Sequence, residues 1–235
     1  MRVGSMIAAI VRAFATLWLR EEWAIVRSQI ERHQTFLLLH RHFTPPRLAQ
    51  LLLISGEDRR HGRHPGYDVQ AMIRAFVHRA FFRSREGASS IEQQIVRVVT
   101  GRFERTWCRK VREILLASLV ASHFPKQLTP SLYLSIGYYG WRMNSFVQAS
   151  RRLALLDDLS LADAAALVAR LKYPEPRNPP KSRLQQIDAR MRYLKNLYEI
   201  HRLDGTYGHL GIVTDGTTIR HREEPTGALG STPCG

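Results

Sequence analysis

Residues 87–100 are GASSIEQQIVRVVT, and the interpretation of the chain starts from this stretch. Ser89 and Ser90 are typical residues for the start of a helix, and each is followed three positions later by Glu or Gln, which fits a capping box. The helix predicted after them has one apolar face, formed by Ile91, Ile95, Val98 and Val99. Gln93 and Arg97, which are four residues apart, lie on another face. The stretch therefore predicts an amphipathic helix with a polar side.

A second polar cluster, EDRRHGRHPG at 57–66, lies upstream and follows the apolar run 51–54. Its first residue, Glu57, is expected at the end of a buried element, where a carboxylate can act as a general base on a hydroxyl group. Asp58 beside it is expected to point elsewhere and to cap or orient the loop. A solvated start of a helix is the ordinary explanation of a lone Glu-Asp pair, so this cluster gains meaning only from the others.

A third cluster lies downstream and combines cations with a second carboxylate. Glu113 follows Arg109 by four residues and Lys110 by three, the spacing of helical ion pairs that are worth about 0.2–0.5 kcal/mol. Arg105 lies about two turns earlier, on a similar face if the helix extends that far. With Arg97, these side chains make four cations that could stabilise a leaving pyrophosphate, with Glu113 holding them or an acceptor sugar.

Helical signals continue along most of the chain. Further helices are predicted at 69–82, 108–123, from Thr129, at 161–171 and at 183–203. Pro45-Pro46 separates an amphipathic region, 1–44, from a catalytic region, 45–205. The segment 206–235 is rich in Gly and Thr without an apolar period, which predicts a poorly ordered tail. The fold class is thus mainly α.

Composition restricts the partner more than the fold. The chain has 235 residues, of which 44% are hydrophobic, enough for one sizeable core. Its net charge is +15, with 30 Arg against 5 Lys. Because the guanidinium fork suits phosphate, the charge points to nucleic acid, an anionic bilayer or a pyrophosphate substrate. The two cysteines form neither a disulfide framework nor a zinc spacing.

The N-terminal region is a candidate for membrane contact. The stretch from Met6 to Leu19 is too short for a membrane span and carries Arg12 in its middle. An interfacial helix explains it better, and so does an ordinary helix packed on the domain. Its predicted apolar stripe consists of Ile7, Ile10, Val11, Phe14, Leu17 and Trp18.

In this order and spacing the clusters resemble the peptidoglycan glycosyltransferases, glycosyltransferase family 51, which occur alone and as a domain of bifunctional penicillin-binding proteins. That family's motifs are Glu-Asp-x-x-Phe-x-x-His-x-Gly, Gly-Gly-Ser-Thr-Ile-Thr-Gln-Gln-x-x-Lys-Asn and Arg-Lys-x-x-Glu. Their counterparts here are residues 57–66, 87–98 and 109–113. Two further regions, LYLSIGYYG at 132–140 and DAAALVARLKYPEPRNP at 163–179, resemble the fourth and fifth motifs.

The resemblance implies a lysozyme-like, two-lobed helical fold with a head and a smaller membrane-facing jaw, to which the helix 69–82 would belong. It implies transfer from lipid II, or from a glycan on undecaprenyl pyrophosphate, to the 4-hydroxyl of a lipid II sugar with inversion. By motif position Glu57 would be the general base and Glu113 the second acidic residue. The implied substrate-binding residues are Asp58, His64, Ser89, Gln93, Gln94, Arg97, Arg105, Arg109 and Lys110.

The same resemblance sets the expected surroundings. The protein would work at the outer, periplasmic face of the bacterial inner membrane, held peripherally or by its N-terminal region. Its partners would be lipid II, the lipid-linked glycan and the anionic membrane surface, with cell-wall synthesis proteins as candidates and no nucleic acid. No cofactor is firmly implied, although Mg²⁺ or Mn²⁺ is a candidate at the pyrophosphate.

Departures from the motifs leave other functions open. The substituted positions are His61 for Phe, Glu92 for Thr, Val98 for Asn, Ser131 for Glu and Ser135 for Asn. They raise the alternative of a degenerate member that binds lipid II or cell-wall machinery without polymerising. A lyase or hydrolase also uses two carboxylates, but the cations favour pyrophosphate. A basic nucleic-acid-binding protein is less favoured because Arg is spread along the whole chain.

Overall fold

The computed structural model describes residues 3–81, 87–155, 159–215 and 218–221. Ten α-helices within these residues build the fold, and they are α1 Val3–Trp18, α2 Arg20–Leu39, α3 Arg47–Glu57, α4 Val69–Phe81, α5 Ile91–Thr100, α6 Trp107–His123, α7 Thr129–Ile136, α8 Phe146–Arg152, α9 Leu161–Lys172 and α10 Lys181–Leu203. Short 3-10 helices lie at Arg41–Phe43, His61–Arg63 and Gly208–Leu210. Strand β1 Ile212–Asp215 pairs antiparallel with β2 Thr218–His221. The predicted mainly α, lysozyme-like fold class is confirmed.

The core is centred on α3 and α5, which end at the same cleft. Residues 49–55 of α3 and 91–96 of α5 are buried on all sides. Helix α3 packs against α7, α9 and α10, whereas α5 packs against α6 and α7. Because both helices are enclosed by others, the polar residues at their ends are held in fixed positions.

Local signals fixed the helix starts well. Ser90 caps α5 by accepting the N–H of Gln93 at 3.2 Å, as predicted. The Ser160–Asp163 pair forms a complete capping box at the start of α9. Helix α6, however, begins at Trp107 with Thr106 as its cap. Arg105 therefore precedes the helix, and the prediction that it shares a helix face with Glu113 is wrong.

The N-terminal helices are part of the core. Trp23, Val26 and Ile30 of α2 are buried in it, so the predicted boundary at 44/45 does not separate two structural units. Helix α1 buries Ala15 against the core, and Val11 packs partly against it. The other five members of the predicted apolar stripe, Ile7, Ile10, Phe14, Leu17 and Trp18, are exposed.

Helix α4 contributes nothing to the core cluster among the described residues. Four of its large apolar side chains, Val69, Ile73, Phe76 and Phe81, are more than half exposed. The predicted end of this helix at Phe82, and the connector after it up to Glu86, lie outside the described residues. A helix with an exposed apolar face at the edge of the cleft is what the membrane-facing jaw requires.

The segment after α10 returns to the core. Tyr207 and Leu210 are buried, and the Arg47 guanidinium donates to the Leu210 carbonyl at 2.8 Å. The hydroxyl groups of Ser55 and Tyr207 are hydrogen-bonded to each other. The predicted poor order of the tail is thus wrong for 206–210, where aromatic and apolar side chains pack under the end of α3. Residues 222–235 lie outside the described part of the chain.

Candidate active site

A cleft of about 1250 Å³ lies where α3, α5, α7 and α10 meet. Five of the predicted site residues line it, namely Glu57, Asp58, Ser89, Gln94 and Arg97. The other predicted residues do not, and they are His64, Gln93, Arg105, Arg109, Lys110 and Glu113. Glu57 and Arg97, from two different helices, therefore face one cavity, which is the juxtaposition that the sequence required.

Glu57, the last residue of α3, is held by groups from two helices. The Arg190 guanidinium of α10 donates to Oε1 at 2.7 Å, and the Gln94 amide of α5 donates to Oε2 at 3.2 Å. The Glu57 side chain remains 20% exposed to the cleft. Arg190 also donates to the Gly56 carbonyl at 2.8 Å, so it fixes both the carboxylate and the backbone before it. Glu57 is thus oriented and still accessible.

Sequence reasoning missed Arg190. It lies in a long helix rich in charged residues, where no motif distinguishes it from its neighbours. Tyr133 was missed as well. Its ring lies at the cleft, and burial, reinforced by the negative charge of Glu57, raises the pKa of the Tyr133 phenol. That hydroxyl stays protonated and can donate a hydrogen bond.

Glu113 is the centre of a cation cluster behind the cleft. Its side chain is only 3% exposed and accepts from Arg97 Nε and Nη2, each at 3.0 Å. Lys110 Nζ approaches at 2.8 Å, and Arg109 pairs with the same carboxylate. Burial alone would raise the pKa of Glu113, but the hydrogen bonds of Arg97 and the charge of Lys110 outweigh it and hold that pKa below its usual value. Burial lowers the pKa of Lys110.

Arg97 is the member of this cluster that reaches the cleft. Its Nη2 donates to Ser89 Oγ at 3.2 Å, and Lys110 Nζ reaches the same oxygen at 3.0 Å. Lys110 also donates to Gln93 Oε1 at 2.7 Å. Gln93 is fully buried, so the prediction that it lines the donor site is wrong, and it supports Lys110 instead. Arg105 is exposed and makes no ion pair with any residue that the structure describes.

The first motif is locked to the start of α5 by Asp58 and His64. His64 Nδ1 accepts the N–H of Gly66 at 3.2 Å, so the proton is assigned to Nε2, which donates to Asp58 Oδ1 at 2.9 Å. Asp58 Oδ2 accepts the N–H of Ile91 at 3.1 Å. His64 is buried and does not line the cleft, so its expected contact with substrate is not found. Both residues position Glu57 relative to α5.

Two of the motif departures compensate each other. His61 and Glu92 are fully buried and lie 3.4 Å apart, with Lys126 Nζ 2.7 Å from the same Glu92 oxygen. Burial opposes the charged form, but the hydrogen bond of His61 and the charge of Lys126 hold the pKa of Glu92 far below its usual value. His61 Nδ1 lies 2.9 Å from His209 Nε2, and burial lowers the pKa of His209 to about 4. The substitutions therefore form a satisfied network below the site.

The other departures have smaller consequences. The hydroxyl groups of Ser131 and Ser135 donate to carbonyl groups of their own helix, at 2.9 and 2.7 Å. Val98 lines the cleft, where the family motif has Asn. The site thus loses one polar group at its rim and keeps its charged members.

Asp58, His64 and Glu92 also present ligand atoms within 4.8 Å of one another, a spacing compatible with a divalent cation. Their hydrogen bonds argue against a metal between them. His64 and the Ile91 amide occupy both oxygens of Asp58, and Lys126 holds Glu92. These groups do not fit a cation as they stand, and they are better explained as a polar network.

Fold and site together define a helical glycosyltransferase of the lysozyme-like class. The family model described as Transglycosylase matches residues 25–198. The chain therefore belongs to the transglycosylase family, the peptidoglycan glycosyltransferases of glycosyltransferase family 51, which are hexosyltransferases.

Relatives with a known name agree with this family. Penicillin-binding protein 1A of Neisseria gonorrhoeae is 34% identical over 137 residues, which is 57% of this chain and 17% of that protein. Penicillin-binding protein 1A of Rickettsia typhi is 28% identical over 150 residues, or 60% of this chain and 19% of the relative. The chain thus matches less than a fifth of the length of these relatives.

Proposed function

We propose that this protein polymerises lipid II into glycan strands and releases undecaprenyl pyrophosphate. The observation that carries the proposal is the presence of Glu57 and Arg97 in one cleft. A carboxylate and a fixed guanidinium are the two groups that deprotonation of a hydroxyl and departure of a pyrophosphate need. The family match supports the reaction class, and the cleft supports the roles of the residues.

The proposed reaction is a single displacement. Glu57 takes the proton of the acceptor 4-hydroxyl as that oxygen attacks the anomeric carbon of the donor. The bond from this carbon to the pyrophosphate oxygen breaks, and its electron pair leaves with the pyrophosphate. The charge that develops there is stabilised by Arg97, which Glu113 and Ser89 hold in place. Attack opposite the leaving group inverts the anomeric carbon.

The surroundings of Glu57 support its role as the base. Arg190 occupies Oε1, which leaves Oε2, held by the neutral Gln94, as the oxygen that faces the acceptor. A neutral donor is displaced more easily than a charged one, so Oε2 is the expected proton acceptor. Tyr133, protonated at neutral pH, is placed to donate to a sugar oxygen in the same cleft.

The membrane is the proposed location of the reaction. No helix among the described residues is long and apolar enough to cross a bilayer. Exposed apolar side chains on α1 and α4 support peripheral contact instead, at the outer face of the bacterial inner membrane. Other cell-wall synthesis proteins are proposed partners by analogy with the family. Mg²⁺ or Mn²⁺ would act, if at all, through oxygens of the substrate pyrophosphate.

The test is polymerisation of labelled lipid II by the purified protein, with products resolved on a gel. Glu57→Gln keeps the shape of the side chain and removes its basicity, so the rate is expected to fall by at least ~100-fold. The control is Glu104→Gln, which changes an exposed carboxylate outside the cleft and is expected to leave the rate unchanged. Equal rates for the wild type and Glu57→Gln would contradict the proposal.

Val98 at the rim of the cleft favours one alternative, a member that binds lipid II without polymerising it. In that case the wild type would retain labelled lipid II and yield no polymer. The same gel assay, combined with a binding measurement, separates the two functions.

A further inference from the structure

A tight turn at Gly140–Met143 projects two side chains beside the cleft. The N–H of Met143 bonds to the Gly140 carbonyl at 3.0 Å, and the N–H of Tyr139 bonds to the Met143 carbonyl at 2.8 Å. Arg142 has a φ of 56°, in the left-handed region that favours glycine. A strained conformation at a residue with a long charged side chain points to a function for that side chain.

Three guanidinium groups surround the Trp141 ring. Those of Arg142, Arg152 and Arg177 lie 4.6, 4.7 and 5.2 Å from its centroid. They come from the turn, from α8 and from the loop after α9, so the fold brings them together. Trp141 with these three arginines is called the arginine–tryptophan patch. The indole face attracts each guanidinium and fixes it despite the repulsion between the three charges.

The patch has no internal counter-charge. The three arginines are exposed, and within the described ranges no carboxylate lies at ion-pair distance from them. Glu175, two residues before Arg177, pairs with Arg170 at 2.7 Å instead. Three fixed, planar, exposed cations without a carboxylate partner are suited to bind an anion from outside, and carboxylates match the guanidinium fork.

The patch adjoins the cleft directly. Tyr138 and Pro174 line the cleft, and each precedes a member of the patch, Trp141 or Arg177, by three residues. The two segments are joined by backbone hydrogen bonds, from Glu175 N–H to Tyr139 O at 3.0 Å and from Trp141 N–H to Glu175 O at 2.8 Å. Three residues span at most about 10 Å, so a chain that leaves the cleft at this edge meets the patch.

We infer that the arginine–tryptophan patch binds the carboxylates on the peptide branches of the glycan that occupies the cleft, an inference that rests on the proposed function. The arginines engage the carboxylates, and the half-buried indole packs against the sugar or peptide. A bilayer suits the patch less well, because the exposed aliphatic side chains that mark α1 are missing from its members. The patch therefore gives the enzyme affinity for peptide-bearing strands.

The test measures binding without turnover. The probes are soluble glycan fragments with their peptides and the same fragments after enzymatic removal of the peptides, titrated by calorimetry at low and high salt. The wild type is expected to bind peptide-bearing fragments at least tenfold more tightly. The variant R142Q/R152Q/R177Q is expected to lose that preference, whereas the charge-matched control R32Q/R41Q/R192Q, which removes three exposed arginines elsewhere, keeps it.

Three results would overturn the inference. They are equal affinity of the wild type for both fragments, unchanged affinity in the patch variant, and loss of binding to phosphatidylglycerol vesicles in place of the glycan. If thermal melts show that the triple variant is unfolded, Arg177→Gln alone is expected to weaken binding at least threefold, and no change would also overturn it. A wild type that binds the fragments but makes no polymer from lipid II would contradict the proposed function alone.

Discussion

At the residue scale, two glutamates with opposite surroundings divide the work of the site. Glu57 keeps part of its carboxylate open to the cleft and has one charged partner, Arg190. Glu113 is almost completely buried and neutralises Arg97 and Lys110. An accessible carboxylate can exchange a proton with substrate, whereas an enclosed one with several cations serves as their counter-charge. The proposed base and the organiser of the cations are therefore different residues.

Glu113→Gln is expected to destabilise the protein in a pH-dependent way. Removing the charge leaves buried cations without their partner, a cost of ~3 kcal/mol in the free energy of unfolding at neutral pH. Because the folded-state pKa of Glu113 is lowered, its contribution is fully present above the unfolded value of 4.5 and is lost as pH falls through the folded pKa. The gap between wild type and variant should therefore shrink below pH 4.5, as measured by urea unfolding.

Glu22→Gln is the control for this measurement. Glu22 also pairs with two arginines, Arg102 and Arg112, but at a more exposed place. Its loss is expected to cost no more than ~1 kcal/mol. A gap between wild type and Glu113→Gln that stays constant from pH 6 to pH 3 would contradict the role of Glu113 as a charged counter-ion.

At the element scale, the position of α10 against the end of α3 sets the geometry of the base. Gly56 allows this close approach, since a Cβ built there would lie 2.3 Å from Leu194 Cδ2 and 2.9 Å from Arg190 Nη2. Arg190 in turn bonds to the Gly56 carbonyl and to Glu57. The smallest residue in α3 is thus where α10 must come nearest, and the ion pair of the base depends on it.

Gly56→Ala is expected to push α10 away from α3 and to loosen the pair between Arg190 and Glu57. The overpacking should lower the free energy of unfolding by ~1–3 kcal/mol. The polymerisation rate should fall by about tenfold, because small displacements of catalytic groups are costly. Gly208→Ala, where a Cβ meets nothing within 4 Å, serves as the control. Full activity of Gly56→Ala would show that the contact with α10 does not position the base.

At the scale of the whole molecule, apolar surface is distributed unevenly. Helix α1 turns Ile10, Phe14 and Leu17 outward while Ala15 packs on the core, and α4 exposes Phe76 and Phe81. Large exposed apolar side chains grouped on neighbouring turns of a helix mark an interaction surface. With a net charge of +15, such a surface is suited to an anionic bilayer.

I10S/F14S/L17S is expected to release the protein from vesicles of phosphatidylglycerol and phosphatidylethanolamine in a flotation assay. Each side chain that enters the lipid contributes on the order of 1.5–3 kcal/mol, so the three together should change the partition by more than ~10-fold. The control L184S/I200S/L203S removes three exposed apolar residues of α10. If both variants float equally with the vesicles, α1 is not the contact surface.

Local pattern carried the prediction of the helices and of most of their ends. Ser90, Thr129 and Ser160 mark helix starts through short-range hydrogen bonds or fixed dihedral angles, and these act over three or four residues. The order of the three polar clusters was enough to place Glu57 and Arg97 in one site. The structure brings both to one cleft, whereas their catalytic roles stay a prediction.

The tertiary structure alone decided which groups face that cleft. Gln93 was expected to be exposed because it lies off the apolar face of α5, but neighbouring helices enclose α5 on all sides. Arg190 meets Glu57 across 133 residues of chain, and His209 meets His61 across 148. Periodicity and spacing report contacts within one helix, whereas burial and pairing across such separations result from how the helices pack. The sequence by itself thus determined the helices, the family and the proposed base, and packing determined the partners of that base.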